Sequence, residues 1–267
     1  MQGNDRKFSS ALFARLPSNT KLGFLMRVYE RNKKVQSVDT EVVLIDIEKF
    51  SLLPANDQVI AAVIANGELE KFLALSSGQS AMNVDEVVAG FVITGDGFYV
   101  ILQPSLIGYG LALGISLRSM LLNSSKENKK YLTGIRVGVH RGTLTAFEDI
   151  TQRENYVGPV MNECARLLSA KPSDAPSGFL ADSNYVICSK AAFDAFSKAY
   201  DYGDENSYFR QIGVKNSPWV TLTDKHGLSH TGTFVEVSRR IAFNPPRPPD
   251  FDARVTARLT KYLEPNT

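Results

Sequence analysis

The strongest constraint on the fold is a reversal. Gly95-Asp96-Gly97 separates two apolar, strand-like runs, residues 84–94 and 98–102. Glycine supplies the positive φ that a tight turn requires, so this spacing predicts a β-hairpin with Asp96 at its tip. Upstream, EVVLI at 41–45 is rich in β-branched residues and reads as a buried strand ending at Asp46. Pro54 breaks the chain, and Asn56 or Asp57 can cap a helix whose apolar positions include Ile60, Val63, Ile64, Phe72 and Leu73. Residues 106–122 read as a second helix and 135–140 as another strand. The resulting order of strand, helix, hairpin, helix and strand predicts an α+β fold with a ferredoxin-like βαββαβ core. In that core the first and third strands are antiparallel neighbours, so Asp46 and Asp96, fifty positions apart, should meet at one sheet edge.

Beyond the core the reading is coarser. A polar loop at 148–154 leads to Gly158-Pro159, and Pro159 suits the first turn of a helix running to about Ser169. Residues 179–181 suggest a short strand, and Ser183 a cap for a helix reaching towards Tyr200. Residues 219–223 and 233–237 read as strands. The tail NPPRPPD cannot enter a sheet interior, so an extended arm is expected, with a short helix after Asp252. The organisation expected is an N-terminal arm or helix (1–38, weakly amphipathic over 22–28), a central domain (39–240) and a proline-rich arm (241–267).

Composition excludes several classes. A net charge of +2 lacks the basic excess of a nucleic-acid binder. No apolar run reaches the ~20 residues needed to cross a bilayer. MQGNDRKFSS has no signal-peptide core, and Cys164 and Cys188 fit no metal pattern, so two free thiols and a cytoplasmic protein are expected. His140, His226 and His230 are too scattered for a metal set, and His140 reads as structural. There is neither a GxGxxG nor a GxxxxGK[ST], and Ser51 has no partners to make it a nucleophile.

The chemistry therefore centres on carboxylates. Asp96 alone is an ordinary turn residue and Asp46 alone an ordinary strand end. Together at a sheet edge they suit Mg²⁺, which takes oxygen ligands from one or two carboxylates and completes its shell with substrate phosphates. Asn162 and Arg166 stand i, i+4 on the helix after Gly158 and share a face. An amide and a guanidinium there can grip a sugar and a phosphate, although the same spacing also describes a solvated helix face.

These motifs in series resemble the class III adenylyl and guanylyl cyclases. Asp46-Ile47-Glu48-Lys49-Phe50-Ser51 resembles the family's first metal motif and Gly95-Asp96-Gly97 its second. Ile135-Arg136-Val137-Gly138-Val139-His140-Arg141-Gly142, Tyr156-Val157-Gly158 and Met161-Asn162-Glu163-Cys164-Ala165-Arg166 resemble its strand-and-helix signature, so that the likeness spans residues 40–237. It implies that Asp46, Asp96 and the Ile47 carbonyl hold two divalent metal ions, Mg²⁺ or Mn²⁺. Backbone amides from Ile47 to Ser51, Phe50 included, would cradle the β- and γ-phosphates. Asn162 would orient the ribose and Arg166 would stabilise the α-phosphate. Lys225 is the candidate for the triphosphate tail. In this family the metal residues and the Asn/Arg pair come from different chains, which implies a homodimer with two composite sites.

The base-reading positions depart from the family. Where purine cyclases carry Lys or Glu this chain has Val92, and where they carry Asp, Thr, Cys or Ser it has Asn155. The chain resembles the short bacterial cyclases of Pycsar antiphage systems, which make cyclic pyrimidine nucleotides for a separate effector protein. The expectation is UTP, or else CTP. The alternatives are an adenylate or guanylate cyclase with an atypical pocket and an inactive nucleotide-binding module. Retention of all four of Asp46, Asp96, Asn162 and Arg166 argues against the last.

Overall fold

A computed structural model describes residues 37–237, apart from 81, 150, 152, 172–173, 176–178, 180–184, 205–213 and 224–226, together with Ala253. The stretch 1–36, most of the C-terminal arm, Ser183 and Lys225 lie outside the described residues.

The chain begins with β1 (Ser37–Ile47) and continues through α1 (Ala55–Ser80), the single turn α2 (Val84–Val87), β2 (Val88–Ile93), β3 (Gly97–Leu102) and α3 (Gly110–Glu127). Next come β4 (Ile135–Glu148), β5 (Glu154–Val157), α4 (Pro159–Leu167), β6 (Tyr185–Ser189) and α5 (Lys190–Ala199). β7 (Val214–Asn216), β8 (Val220–Thr223) and β9 (Ser229–Val237) complete it. The strands form one sheet in the order β2-β3-β1-β4-β6-β9-β7, with β5 on β4 and β8 on β9. Its first four strands are antiparallel throughout and have the expected ferredoxin-like order. β6 joins β4 in parallel, which makes the whole sheet mixed.

Alternation along β1 divides the core. Val43, Ile45 and Ile47 join the core cluster built with α1, α3 and α5 on one face, where α3 packs on β1. Val42 and Leu44 face the other way, towards α4, with Tyr99, Ile101 and Leu144. Because side chains in a strand alternate, Asp46 falls on the α4 face. The site carboxylate is thus placed by the same period-2 pattern that builds the core.

Several expectations are corrected. Residues 84–87 are helical, not extended: the Asn83 amide donates to Glu86 Oε2 at 2.8 Å, and a capping box closes the turn. The second helix starts at Gly110 rather than Leu106, which lies in a short 3₁₀ turn. The loop at 148–154 shortens to a turn because β4 runs on to Glu148 and pairs with β5. The helix expected from Ser183 begins only at Lys190. Val186, Ile187 and Cys188 are buried on both faces as a strand, and Ser189 caps the helix by accepting from the Ala192 amide at 3.2 Å. Both cysteines are free and buried, and burial pushes the Cys164 thiol up to about 12. Among the described residues no helix is long and apolar enough to cross a membrane.

Candidate functional site

The β2–β3 turn delivers Asp96 to Asp46. Gly95 has φ 96°, and the Thr94 amide donates to the Gly97 carbonyl at 2.9 Å. Gly97 stands opposite Asp46 in the ladder, and a Cβ there would lie 1.9 Å from the Ile45 carbonyl oxygen. Only glycine allows the hairpin to approach β1 so closely. The Ile47 amide then donates to the Asp96 carbonyl at 2.8 Å, fixing the turn against the end of β1.

A cleft of about 340 Å³ opens there on the α4 side. Asp46, Asp96, Thr94 and Tyr99 line it from the sheet, and Ala165, Leu168 and Ser169 from the end of α4. Tyr99 ties these walls together by donating its hydroxyl to the Met161 carbonyl at 3.0 Å. Asp96 is exposed, whereas the Asp46 side chain retains 14% of its exposure. Burial raises the Asp46 carboxyl above its ordinary value, and hydrogen bonds and charge from Arg136 work against that rise.

Arg136 is the site residue to which sequence reading gave no separate role. It lies directly opposite Asp46 in the β1–β4 ladder. Its Nε and Nη2 donate to Asp46 Oδ2 at 2.9 and 2.6 Å, and Nη1 donates to the Leu168 carbonyl at 3.2 Å. The signal was present, since an arginine interrupts the apolar run IRVGV, but the β1–β4 register was needed to see its partner.

The other predicted residues fall around this cleft. The Ile47 and Glu48 amides are already committed, to the Asp96 and Gly134 carbonyls, so the amides left for a phosphate cradle are those of Lys49, Phe50 and Ser51. Lys49 is left-handed (φ 59°), Phe50 is half-buried against the core and Ser51 is exposed. Asn162 is exposed and Arg166 half-buried on α4, whose Val160, Cys164 and Leu167 face the sheet. Neither Asn162 nor Arg166 lines the Asp46 cleft of its own chain. Val92 lies opposite Tyr99 on the edge strand and packs into the α4-side core. The Asn155 amide oxygen accepts from the Tyr156 backbone at 2.8 Å. Tyr156 in turn donates to the Ala89 carbonyl at 2.6 Å, which brings β5 beside β2. His140 is buried, as a structural residue would be, with Nε2 3.1 Å from Glu163 Oε2.

The donor set fits a hard divalent cation. Among the described residues no cluster of three or more His, Cys, Asp or Glu side chains forms. Two carboxylates in a cleft with room for phosphates match the sparse protein ligation typical of Mg²⁺, while Ile47, whose carbonyl is expected as a further ligand, is not among the residues lining it. Both Arg136 bonds fall on Asp46 Oδ2, and two ions sharing this carboxylate need both of its oxygens, one of which Arg136 holds.

No protein-family model matches this chain, and no curated protein does. Among solved structures it is similar to the catalytic core of a rhodopsin-guanylyl cyclase with converted specificity in complex with ATPαS. There the identity is 14% and the TM-score 0.47, over 76% of this chain and 98% of that one. It is also similar to the guanylyl cyclase Cya2, with 15% identity and a TM-score of 0.49 over 80% and 96% of the two chains. A bacterial light-regulated adenylyl cyclase gives 13% identity and a TM-score of 0.49, over 85% of this chain and 57% of that one. At these values the likenesses carry no weight in the functional reading, which rests on the residues of the cleft.

Proposed function

We propose that this protein is a nucleotidyl cyclase that converts a nucleoside triphosphate, UTP or else CTP, into the 3′,5′-cyclic nucleotide and pyrophosphate. The observation that carries the reading is the meeting of Asp46 and Asp96 at one cleft, held there by the Ile47–Asp96 backbone bond of 2.8 Å. In the reaction the ribose 3′-oxygen forms a bond to the α-phosphorus, the bond to the bridging oxygen of pyrophosphate breaks, and the hydroxyl proton passes to water. Asp46, Asp96 and the Ile47 carbonyl would hold two divalent ions, which would supply the charge that activates the hydroxyl and stabilises the leaving group.

The residues of the chain position the substrate. The amides of Lys49, Phe50 and Ser51 bind the terminal phosphates, with Lys225 as a further cation. Asn162 orients the ribose, and Arg166 offers its forked donors to the α-phosphate. Neither lines the Asp46 cleft of its own chain, which supports the reading that they serve a second subunit in a homodimer with composite sites. Val92 offers no hydrogen bond to a purine edge, whereas the amide of Asn155 can meet uracil or cytosine. The setting proposed is the bacterial cytoplasm, with the cyclic product acting as a second messenger of antiphage defence read by a separate effector. The test is to incubate the pure protein with ATP, GTP, CTP and UTP, with Mn²⁺ or Mg²⁺, and to identify products by mass. A cyclic pyrimidine nucleotide is expected. A tenfold preference for ATP or GTP overturns the pyrimidine assignment, and no cyclic product from any of the four overturns the cyclase.

A further inference from the structure

Arg136 occupies the carboxylate that a metal ion would need. Two of its nitrogens converge on one oxygen of Asp46, at 2.9 and 2.6 Å, from the residue directly across the ladder. A guanidinium in that position and an ion bound to the same oxygen cannot both be satisfied, because Mg²⁺ requires oxygens at about 2.0–2.1 Å in near-octahedral array. The carboxylate is buried enough that leaving it without a cation is costly. The arginine side chain, by contrast, is 38% exposed and has solvent to move into. Its third bond, to the Leu168 carbonyl just past the last turn of α4, places a positive charge where the helix dipole favours one.

We propose that Arg136 is the resident cation of Asp46 in the metal-free protein and is exchanged for the divalent ion when that ion binds, so that metal entry also releases the end of α4. The inference rests on the metal reading of Asp46 and Asp96. It makes Arg136 a positioning residue that holds Asp46 in place and discourages loading until a cation arrives. The exchange couples the metal site on β1 to the helix that carries Asn162 and Arg166.

The proposal is tested by titrating Mn²⁺ calorimetrically into the full-length protein without nucleotide, comparing wild type, Arg136→Gln and Arg136→Lys. Removing a competing charged hydrogen-bond donor should tighten Mn²⁺ binding about tenfold in Arg136→Gln. Arg136→Lys should fall between, since lysine keeps the charge and loses the fork. Thermal melts give an independent readout: Arg136→Gln should melt below wild type without metal and gain more from added Mn²⁺. An arginine that only braced the fold would leave metal affinity equal or lower in both variants, and that result overturns the exchange while the metal reading stands. No Mn²⁺ binding by any of the three proteins, even with UTP present, overturns the metal reading itself.

Discussion

Glu41 and Asp46 lie on one strand, five residues apart and on opposite faces of the sheet, and they differ in what answers their charge. Glu41 is fully buried at the start of α3. Its Oε2 accepts from the Gly108 and Gly110 amides at 2.9 and 2.7 Å, and Oε1 has no hydrogen-bond partner. Burial pushes its carboxyl up to about 7 despite those bonds. Asp46 opens onto a cleft and is answered by a partly exposed guanidinium. Fixed backbone donors make a carboxylate structural. A side chain that can leave makes one available to an incoming ion.

The first way to break this comparison is through the dimer, where the expected effect is all or none. Asp46→Ala and Arg166→Ala chains should each be inactive alone. Mixed with free subunit exchange, half the dimers pair unlike chains and each regains one of two sites, giving about a quarter of wild-type turnover. Silence from such a mixture, with exchange demonstrated, would remove the composite site. It would leave Asp46 as a ligand within its own chain.

Glu41 gives the next largest effect. Its carboxyl titrates near 7 when folded, against 4.5 for its ordinary value. The folded state therefore holds the proton more tightly. The stability this contributes is complete below pH 4.5 and is lost as pH rises to 7, an effect of roughly 3 kcal/mol. Glu41→Gln should be close to wild type at pH 4.5 and more stable by up to that amount at pH 7.5, in urea melts. Parallel pH curves for the two proteins would show that Glu41 is not held protonated, and the contrast with Asp46 would lose its basis.

Base choice is expected to be a smaller effect. A buried base edge left unpaired costs about 1–3 kcal/mol, so UTP or CTP should exceed ATP and GTP in kcat/KM by ten- to a hundredfold. Asn155→Ala should narrow that ratio more than it weakens binding of free pyrophosphate. An unchanged ratio would move base reading away from β5. The smallest effect concerns the backbone beside the cleft. Lys49 already sits at φ 59°, so the β-branched Lys49→Val should cost about 1–2 kcal/mol in a thermal melt, while Lys49→Gly stays near wild type. Equal stability of the two would mean that the turn relaxes freely.

Part of this was legible in the sequence, for reasons that can be named. The Gly-Asp-Gly turn and the EVVLI run are local signals, and together they imposed the β1–β3 pairing that puts Gly97 opposite Asp46. Arg136 was not legible as a partner of Asp46 because that contact depends on a register set ninety residues away. The single turn of α2 was hidden because Val84 and Val87 suit a strand, while the deciding residues, Asn83 and Glu86, act through capping. β6 was missed for a related reason. Its five residues are all buried, and so short a buried run, apolar up to Ser189, carries no period to distinguish strand from helix.

The central claim is that Asp46 is the ion-holding carboxylate of a cyclase centre, and turnover of a single variant tests it most directly. Asp46→Asn keeps the shape and one acceptor oxygen but removes the charge. With a normal circular-dichroism spectrum and a dimer of wild-type size, it should form less than about a thousandth of the wild-type cyclic nucleotide from UTP or CTP with Mn²⁺. Wild-type turnover by that folded variant would contradict the account.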